Sequence, residues 1–273
     1  MVDLGNFPRF HPLILVLGRI EKHLYRRACR ILSVLPNAVD YMVEKGATRR
    51  HVTWLPNGVL FDGRSLTRHL GNSSRQVFMY AGAHGLYNNL HIILYAAKIL
   101  EEEGLADRFL IRLVGDGPYK LTLKRMARRL NLKTVVFERP IPKTEIYQLL
   151  QEADAFLMIL KDSNVFKWGI SPNKLFDYMV VGRPVVFAVN SSNNPIRDCE
   201  GGVTVDPNDP KSLAGGIKDI LDQPFEVRRV MGQRAREYVQ KFHNISVLAE
   251  RLETILTDVI APTSYKSKEG LQR

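Results

Sequence analysis

The most informative segment of the chain places a carboxylate and an amine on one short predicted helix. Asn173, Lys174 and Asp177 fall on a polar face at helical spacing, directly after Ser171. A carboxylate at this point can accept hydrogen bonds from ribose hydroxyls, while the amine and the helix N-terminus can hold phosphate. The chemistry favoured by these residues is binding of a sugar nucleotide.

The residues around this segment predict how it is held. Pro172 suits the first turn of a helix, where its missing N–H costs nothing, and Gly182 suits the C-terminal end, where a left-handed residue is favoured. Leu175 lies on the apolar face with Tyr178 and Met179, so this face can pack on a sheet. The segment therefore predicts a loop, one helix and a following buried strand.

Apolar strands alternate with helices over most of the chain. The predicted strands of the main series cover 77–81, 109–114, 135–137, 155–160, 185–188 and 203–205. Continuous apolar strands separated by helices indicate a parallel sheet covered on both faces, so the fold class is α/β, doubly wound. In such sheets ligands bind at the carboxyl ends of the strands, which directs attention to the loops that follow them.

Three further loops follow predicted strands. Gly82 and Gly85 allow close backbone approach to a ligand, and His84 between them can donate to a phosphate or a sugar hydroxyl; a tight turn with a surface His fits the same residues. Gly115 opens a turn before a helix whose N-terminus can face a ligand, although a turn that only starts a helix fits equally well. Ile141 lies in a stiff proline-rich loop whose backbone can read a nucleobase edge.

Composition limits the classes of protein and of site. The chain has 273 residues and only two cysteines, Cys29 and Cys199, which makes a disulfide framework implausible and fits a reducing cytoplasm. Its seven histidines are scattered without zinc-ligand spacing, so neither a metal nor a separate cofactor is expected. A Gly-Lys-Ser/Thr phosphate loop and a Gly-x-Ser-x-Gly elbow are absent.

The charge and one apolar segment suggest partners. The net charge of +11 favours phosphate-bearing partners, although solvated helix faces explain the basic clusters as well as an anionic membrane surface does. No interleaved aromatic and basic platform accompanies the charge, so nucleic acid is not expected. No apolar stretch reaches the roughly 20 residues that span a bilayer, but residues 10–35 form an amphipathic segment whose apolar face needs a protein or a membrane as partner.

Several motifs occur in order along the chain. They are Leu55-Pro56-Asn57-Gly58-Val59, Tyr80-Ala81-Gly82, Val114-Gly115-Asp116-Gly117-Pro118, Glu152-Ala153-Asp154-Ala155, Pro172-Asn173-Lys174-Leu175-Phe176-Asp177-Tyr178-Met179, Gly182-Arg183-Pro184-Val185-Val186 and Gly201-Gly202-Val203. With this order and spacing, the chain resembles the donor-binding, Rossmann-like half of a retaining glycosyltransferase of family 4, which has the GT-B architecture. The form around Asp177 is most similar to the branch that builds cell-surface polysaccharides.

The resemblance implies roles for individual residues. Asp177 matches the acidic residue that holds the donor ribose, and Gly82 and Gly115 match glycines that line the nucleotide site. Lys174 and Ser171 would lie near the diphosphate and the donor sugar. The donor-binding set expected from the resemblance is completed by His84, Gly85, Ile141, Asn173 and Leu175. The implied reaction is transfer of a sugar from a nucleotide diphosphate, expected to be UDP, to an acceptor hydroxyl in polysaccharide or glycolipid synthesis, with stabilisation of the departing diphosphate as the main task.

The chain departs from the family pattern in three ways. Gly169 stands where many relatives carry a glutamate, eight positions before the acidic residue. Ala83 and Asn88 stand where many carry arginine and lysine. The N-terminal acceptor-binding domain of the family, which often supplies a catalytic residue, is expected to be represented here only by its last piece, so no catalytic residue is assigned.

The resemblance also implies a division of the chain. Residues 1–60 are expected to be the remnant of the acceptor domain and 61–75 a linker. Residues 76–243 are expected to form the nucleotide-sugar-binding domain, 244–261 a C-terminal helix and 262–273 a disordered tail.

Two functions remain open at this point. The first is a hexosyltransferase, or its donor-binding part; the second is a non-catalytic nucleotide-sugar-binding module that needs a separate acceptor-domain chain. The partners expected are the donor and, through residues 10–35, an acceptor-domain polypeptide, a second copy or an anionic membrane. The expected location is the cytoplasm, including the inner face of the plasma membrane.

Overall fold

The computed structural model describes residues 8, 10–61 and 75–260. The predicted tail lies outside the described residues, as does the predicted linker except for residues 61 and 75.

The N-terminal part forms a small α/β unit. It consists of helix α1 (Pro12–Arg27), strand β1 (Ile31–Ser33), helix α2 (Val39–Glu44) and strand β2 (Val52–Trp54). The two strands pair in parallel, with Ile31 opposite Val52. The unit is thus built from two helices that alternate with two strands.

The main part alternates strands and helices. Its elements are β3 (Gln76–Ala81), α3 (His91–Glu102), β4 (Phe109–Val114), α4 (Lys120–Arg129), β5 (Val135–Glu138), α5 (Ile146–Leu150), β6 (Ala155–Ile159), α6 (Asn173–Val181), β7 (Val185–Ala188), α7 (Pro195–Asp198), β8 (Gly202–Val205), α8 (Pro210–Asp222), α9 (Phe225–Phe242) and α10 (Ile245–Ile260).

The six strands of this part form one parallel sheet in the order β5-β4-β3-β6-β7-β8. The chain starts in the middle at β3, runs outward to β5, and returns to β6 on the other side of β3. The predicted doubly wound α/β fold is therefore confirmed. The reversal of strand order creates a crevice between the ends of β3 and β6, where open α/β sheets bind ligands.

Both faces of the sheet are covered, as the apolar strands predict. Helices α3 and α8 pack against each other over one face, where Ile93 and Leu213 are fully buried. Helices α6 and α9 pack together over the other face, with Leu175, Met179 and Val239 fully buried. Removing this apolar surface from water is the main force that fixes α6 against the strand ends.

The ends of α6 follow from its sequence. Gly182 ends the helix in the left-handed conformation, with φ of 73°, as predicted. Pro172 lies just outside the helix in an extended conformation, rather than in the first turn, and Asn173 is the first helical residue. The amine and the carboxylate of the motif consequently sit in the first two turns.

Helix α1 is an amphipathic helix of 16 residues, of which none is buried. One strip, including Glu21, faces the protein, and the Glu21 carboxylate accepts a hydrogen bond of 2.9 Å from the Tyr41 hydroxyl. The apolar side chains on another strip are between 41% and 60% exposed: Leu13, Val16, Leu17, Ile20 and Leu24. Within residues 8, 10–61 and 75–260, the helices are too short or too polar to cross a membrane.

Helix α10 returns to the N-terminal unit. The Val59 N–H donates to the carbonyl of His243 at 2.8 Å, and the Ile245 N–H donates back to the carbonyl of Val59 at 3.1 Å. The Arg251 guanidinium donates to the carbonyl of Trp54 at 2.9 Å. Thus the last helix packs on the N-terminal unit.

Candidate functional site

The loops after β3 and β4 are in direct contact at the glycines singled out by sequence. The Gly82 N–H donates to the carbonyl of Val114 at 2.9 Å. Gly115 has a φ of 137°, and a Cβ added there would lie 1.9 Å from the Gly82 carbonyl oxygen. Only glycine fits at position 115, because two backbones meet where a side chain would stand.

His84 holds the same two loops together through its backbone. Its N–H donates to the carbonyl of Asp116 at 2.8 Å, and its carbonyl accepts from the Tyr119 N–H at 3.0 Å. The side chain is fully buried, with its ring centroid 6.1 Å from that of Tyr80 and 6.2 Å from that of Phe137. The alternative of a surface His in a tight turn is therefore wrong.

The His84 ring is an unusual buried group. Neither ring nitrogen makes a hydrogen bond of normal geometry within the described part of the chain, although the Val114 backbone is near enough to act on the ring. Burial lowers the His84 pKa to about 4, and the charges of Lys120 and Lys174 act in the same direction. The ring is consequently neutral at physiological pH and occupies the interior side of the loops.

Lys120 joins the ends of β4 and β5. Its ammonium donates to the carbonyl of Gly115 at 2.5 Å and to the carbonyl of Glu138 at 2.6 Å. The sequence marks Lys120 only as part of a basic helix, so its place at the strand ends was missed. The half-buried Ile141 follows β5, which is the outermost strand on this side of the sheet.

Lys174 reaches from the first turn of α6 to the loop after β3. Its Nζ donates to the Tyr80 hydroxyl at 2.7 Å and lies 3.5 Å from Oδ1 of Asn88. A Cβ added at Gly82 would lie 2.6 Å from this Nζ. The structure therefore brings together Lys174, Gly82 and Gly115, which lie in three separate motifs.

The Lys174 side chain is half-buried, and its amine has no negative partner among the described residues. Among residues 8, 10–61 and 75–260, no carboxylate oxygen makes an ion pair with its Nζ within 4.0 Å. The Tyr80 ring lies beneath the amine, 4.3 Å from centroid to Nζ. Burial lowers the Lys174 pKa to about 8. A half-buried ammonium ion held only by neutral groups is a strong attractor for an anion.

Asp177 lies one turn further along α6 and is half-buried. Its Oδ1 accepts a hydrogen bond of 2.8 Å from the Tyr147 hydroxyl. Burial raises the Asp177 pKa, while the Tyr147 hydrogen bond and the Lys143 charge act in the opposite direction. A carboxylate with one oxygen engaged has further lone pairs with which to accept from hydroxyl donors.

Ser171 lies in the loop that leads into α6 and is tied to the N-terminal unit. The Asn57 backbone N–H donates to Ser171 Oγ at 3.0 Å, and Asn57 Nδ2 donates to the Ser171 carbonyl at 2.7 Å. The other predicted residues differ in exposure. Asn173 is exposed, Gly85 is half-buried, and the Leu175 side chain lies wholly in the core.

Close packing surrounds Gly169, the position at which the family pattern would place a glutamate. Gly169 has a φ of 98°, and a Cβ there would lie 2.6 Å from Cδ of Pro36. The next residue is fixed by Asn193, which accepts from the Ile170 N–H at 2.7 Å and donates to the Ile170 carbonyl at 3.1 Å. In this conformation, an acidic side chain cannot replace Gly169 without movement of the N-terminal unit.

Two tyrosine hydroxyls meet at the end of β3, that of Tyr80 on the strand and that of Tyr178 on α6, and neither residue was singled out as a site residue. The Tyr178 hydroxyl accepts from the Ala81 N–H at 2.8 Å and donates to the Ala81 carbonyl at 2.9 Å, which fixes α6 to the strand end. The Tyr80 hydroxyl receives the Lys174 hydrogen bond and donates to the Ala83 carbonyl at 2.8 Å. Both adjoin the Tyr80-Ala81-Gly82 motif, but nothing local predicts their long-range partners.

Known proteins share sequence similarity with this chain. The model of the family described as "Glycosyl transferases group 1" matches residues 66–238. The chain is 30% identical over 171 residues to WcaL of Escherichia coli K12, named provisionally as a colanic acid biosynthesis glycosyltransferase; the match covers 61% of this chain and 41% of WcaL. It is 24% identical over 250 residues to alpha-D-kanosaminyltransferase of Streptomyces kanamyceticus, covering 88% of this chain and 63% of that enzyme.

Solved structures share the fold. Anabaena Alr3699/HepE, solved in complex with UDP and glucose, superposes with a TM-score of 0.69 at 17% identity, covering 89% of this chain and 67% of that one. Sucrose-phosphate synthase from Thermosynechococcus elongatus gives a TM-score of 0.70 at 17% identity, covering 90% and 62%. The six-stranded parallel α/β fold thus matches structures of GT-B type. The chain spans between about two fifths and two thirds of the lengths of these four proteins.

Proposed function

We propose that this chain, which belongs to the group 1 glycosyl transferase family, binds a nucleotide diphosphate sugar in the crevice between β3 and β6 and transfers the sugar to an acceptor hydroxyl. The observation that carries the proposal is the half-buried Lys174 amine beside Gly82, which lacks a carboxylate partner among the described residues. A diphosphate would supply the missing negative charge. It would also find the peptide groups of two glycine loops close by.

Each part of the donor has a candidate contact. Asp177 would accept from the ribose hydroxyls, and Lys174 would neutralise the diphosphate as it departs, which is the charge that develops during transfer. Gly82 and Gly115 would let the diphosphate approach the backbone. Ser171 and Asn173 would lie near the sugar, while Ile141 and its loop would lie near the base. The buried ring places His84 beneath these loops, so we assign it to their support.

The nature of the donor and product is a finer proposal. UDP is supported by the UDP-containing structures of Alr3699/HepE. Synthesis of a polysaccharide or glycolipid, by retaining chemistry of the family 4 type, is supported by the similarity to WcaL. No metal ion or further cofactor forms part of this proposal.

A partner is proposed for the exposed apolar strip of α1. Its five aliphatic side chains are each at least 41% exposed, a contiguous surface of the kind that marks an interface. The parallel sheet of β1 and β2 has only two strands among the described residues, whereas parallel sheets are usually larger and covered on both faces. We therefore propose an acceptor-binding α/β domain as its occupant, with residues 1–60 as part of that domain.

The location follows from the same proposal. A cytoplasmic enzyme would meet its acceptor at the inner face of the plasma membrane, where the basic residues of α1 face anionic lipid. Sedimentation with vesicles of phosphatidylglycerol and with neutral vesicles tests this directly. If the chain binds the neutral vesicles alone, the occupant of the strip is a membrane and not the acceptor domain. If it forms a dimer that buries α1, the occupant is a second copy of the chain.

Calorimetry with UDP, uridine and a short RNA tests the proposed site. UDP should bind with micromolar to millimolar affinity and uridine more weakly, since uridine lacks the anion that Lys174 attracts. Binding of RNA without UDP would contradict the proposal.

A transfer assay separates the two functions of the family fold. It uses a UDP-sugar, a lipid-linked acceptor extract and detection of released UDP. Release that depends on the acceptor supports a transferase. Tight UDP-sugar binding without release, even when an acceptor-domain chain is added, supports the non-catalytic module instead.

A further inference from the structure

We propose that Tyr80 is a positioning residue whose hydroxyl holds the Lys174 amine in place for the donor diphosphate. The inference rests on the proposed function and adds to it a residue on β3 that does not itself touch the donor. It accounts for how a flexible lysine side chain on α6 is held as a fixed cation beside Gly82.

The geometry places Tyr80 directly beneath the amine. Its hydroxyl accepts from Lys174 Nζ at 2.7 Å, and its ring centroid lies 4.3 Å from the same atom. A flexible lysine side chain loses much rotational freedom when it is held in this way. Since that freedom is already lost before a ligand arrives, the diphosphate gains affinity from preorganisation.

The group that accepts the hydrogen bond from Lys174, the Tyr80 hydroxyl, is neutral, so it does not compete with an anion for the amine. A carboxylate in this place would form an ion pair with Lys174 and compete with an incoming diphosphate. The carboxylate on the same helix, that of Asp177, is hydrogen-bonded to Tyr147 instead. Burial raises the Tyr80 pKa, so the hydroxyl stays neutral and leaves the positive charge of the amine for an anion.

The hydroxyl can be removed with little harm to the loop. It donates to the Ala83 carbonyl at 2.8 Å, but that oxygen also accepts from Asn88 Nδ2 at 2.8 Å. Phenylalanine at position 80 would keep the ring in the core and leave the carbonyl with a partner. From the Asn88 side chain, the Lys174 Nζ can then reach only Oδ1, which lies 3.5 Å away.

The test is a double-mutant cycle with two ligands. Affinities for UDP and for uridine are measured by calorimetry in the wild-type chain, Tyr80→Phe, Lys174→Met and the double variant. Tyr80→Phe should weaken UDP binding about three- to tenfold and change uridine binding less than twofold. In the Lys174→Met background, the same substitution should change UDP binding less than twofold, because the amine through which Tyr80 acts is gone.

A matched control removes another tyrosine hydroxyl. Tyr95→Phe, on the outer side of α3, should leave both affinities unchanged. Equal losses of UDP and uridine affinity in Tyr80→Phe would assign Tyr80 a general structural role and overturn the inference. An undiminished effect of Tyr80→Phe in the Lys174→Met background would overturn it as well. A wild-type chain that binds neither ligand would overturn the proposed function itself.

Discussion

Replacing Lys174 by methionine should make the protein more stable while it weakens donor binding. The amine is half-buried and partly desolvated, is hydrogen-bonded to a neutral hydroxyl, and has no ion-pair partner among the described residues. Methionine has a similar length and needs no solvation. The positive charge of Lys174 favours binding of an anion but lowers the free energy of unfolding when no anion is bound.

The size of this cost follows from the Lys174 pKa of about 8, compared with the ordinary value of 10.5. Because a tenfold change in proton affinity corresponds to about 1.4 kcal/mol, the folded state loses about 3 kcal/mol by keeping the amine charged. Loss of the hydrogen bond to Tyr80 in the methionine variant offsets about 1 kcal/mol of this gain in stability. Lys174→Met should thus raise the free energy of unfolding by about 2 kcal/mol near neutral pH.

The pH dependence has a definite sign. Between about pH 8 and 10.5 the unfolded chain binds more protons at this position than the folded chain, so the stability of the wild-type protein rises with pH over this window. Below about pH 8 both states carry the proton and the cost is fully present. The advantage of the methionine variant should therefore be largest at pH 6.5 and should disappear by about pH 10.5.

Urea unfolding of both proteins at several pH values measures this difference directly. The matched control is Lys211→Met, which removes an exposed lysine from α8 and should change stability by less than about 0.5 kcal/mol. UDP affinity should fall about 10- to 100-fold in Lys174→Met alone. A methionine variant that is less stable than the wild type at pH 6.5 would refute the reasoning, as would a stability difference that does not change with pH.

Three further substitutions test the loops, the ribose contact and the surface of α1. Gly115→Ala should destabilise the protein by several kcal/mol and abolish UDP binding, because its Cβ would meet the Gly82 carbonyl. Thermal unfolding measures the loss of stability. The control is Gly215→Ala in α8, where a Cβ meets open space and the substitution should stabilise the protein by about 0.5–1 kcal/mol. Asp177→Asn should weaken uridine binding about tenfold in calorimetry, and unchanged affinity would remove the ribose assignment. Leu24→Glu should leave the free energy of unfolding within about 0.5 kcal/mol of the wild-type value in urea, because Leu24 is 60% exposed, whereas a loss of several kcal/mol would contradict the strip as an exposed surface.

The sheet was predictable because its signals are local. Each buried strand is a continuous apolar run, and Gly182 ends α6 through a conformation that its own residue type favours. The four-residue helix α7 was missed, although its start is also local: Asn194 caps it by accepting from the Ile196 and Arg197 N–H groups. Such a short element has too little periodicity to stand out.

The cluster around Lys174 was only partly predictable. The helical spacing identified Lys174 and Asp177 as a pair, but the contact of Lys174 with Tyr80 joins residues 94 positions apart. That contact exists only because the strand order brings α6 back beside β3. The burial of His84 was also hidden, since a polar residue between glycines is typical of an exposed turn.

The contacts made at the junction of α9 and α10 bear on the order in which the chain folds. The His243 ring is hydrogen-bonded at 3.0 Å to the carbonyl of Asn57, a residue 186 positions earlier, and the same asparagine holds Ser171 at the entrance to α6. During synthesis the ribosome completes residues 10–61 long before this partner emerges. These contacts of the N-terminal unit therefore cannot form until the junction of α9 and α10 is released, so an incomplete chain would keep the apolar surface of that unit available to chaperones.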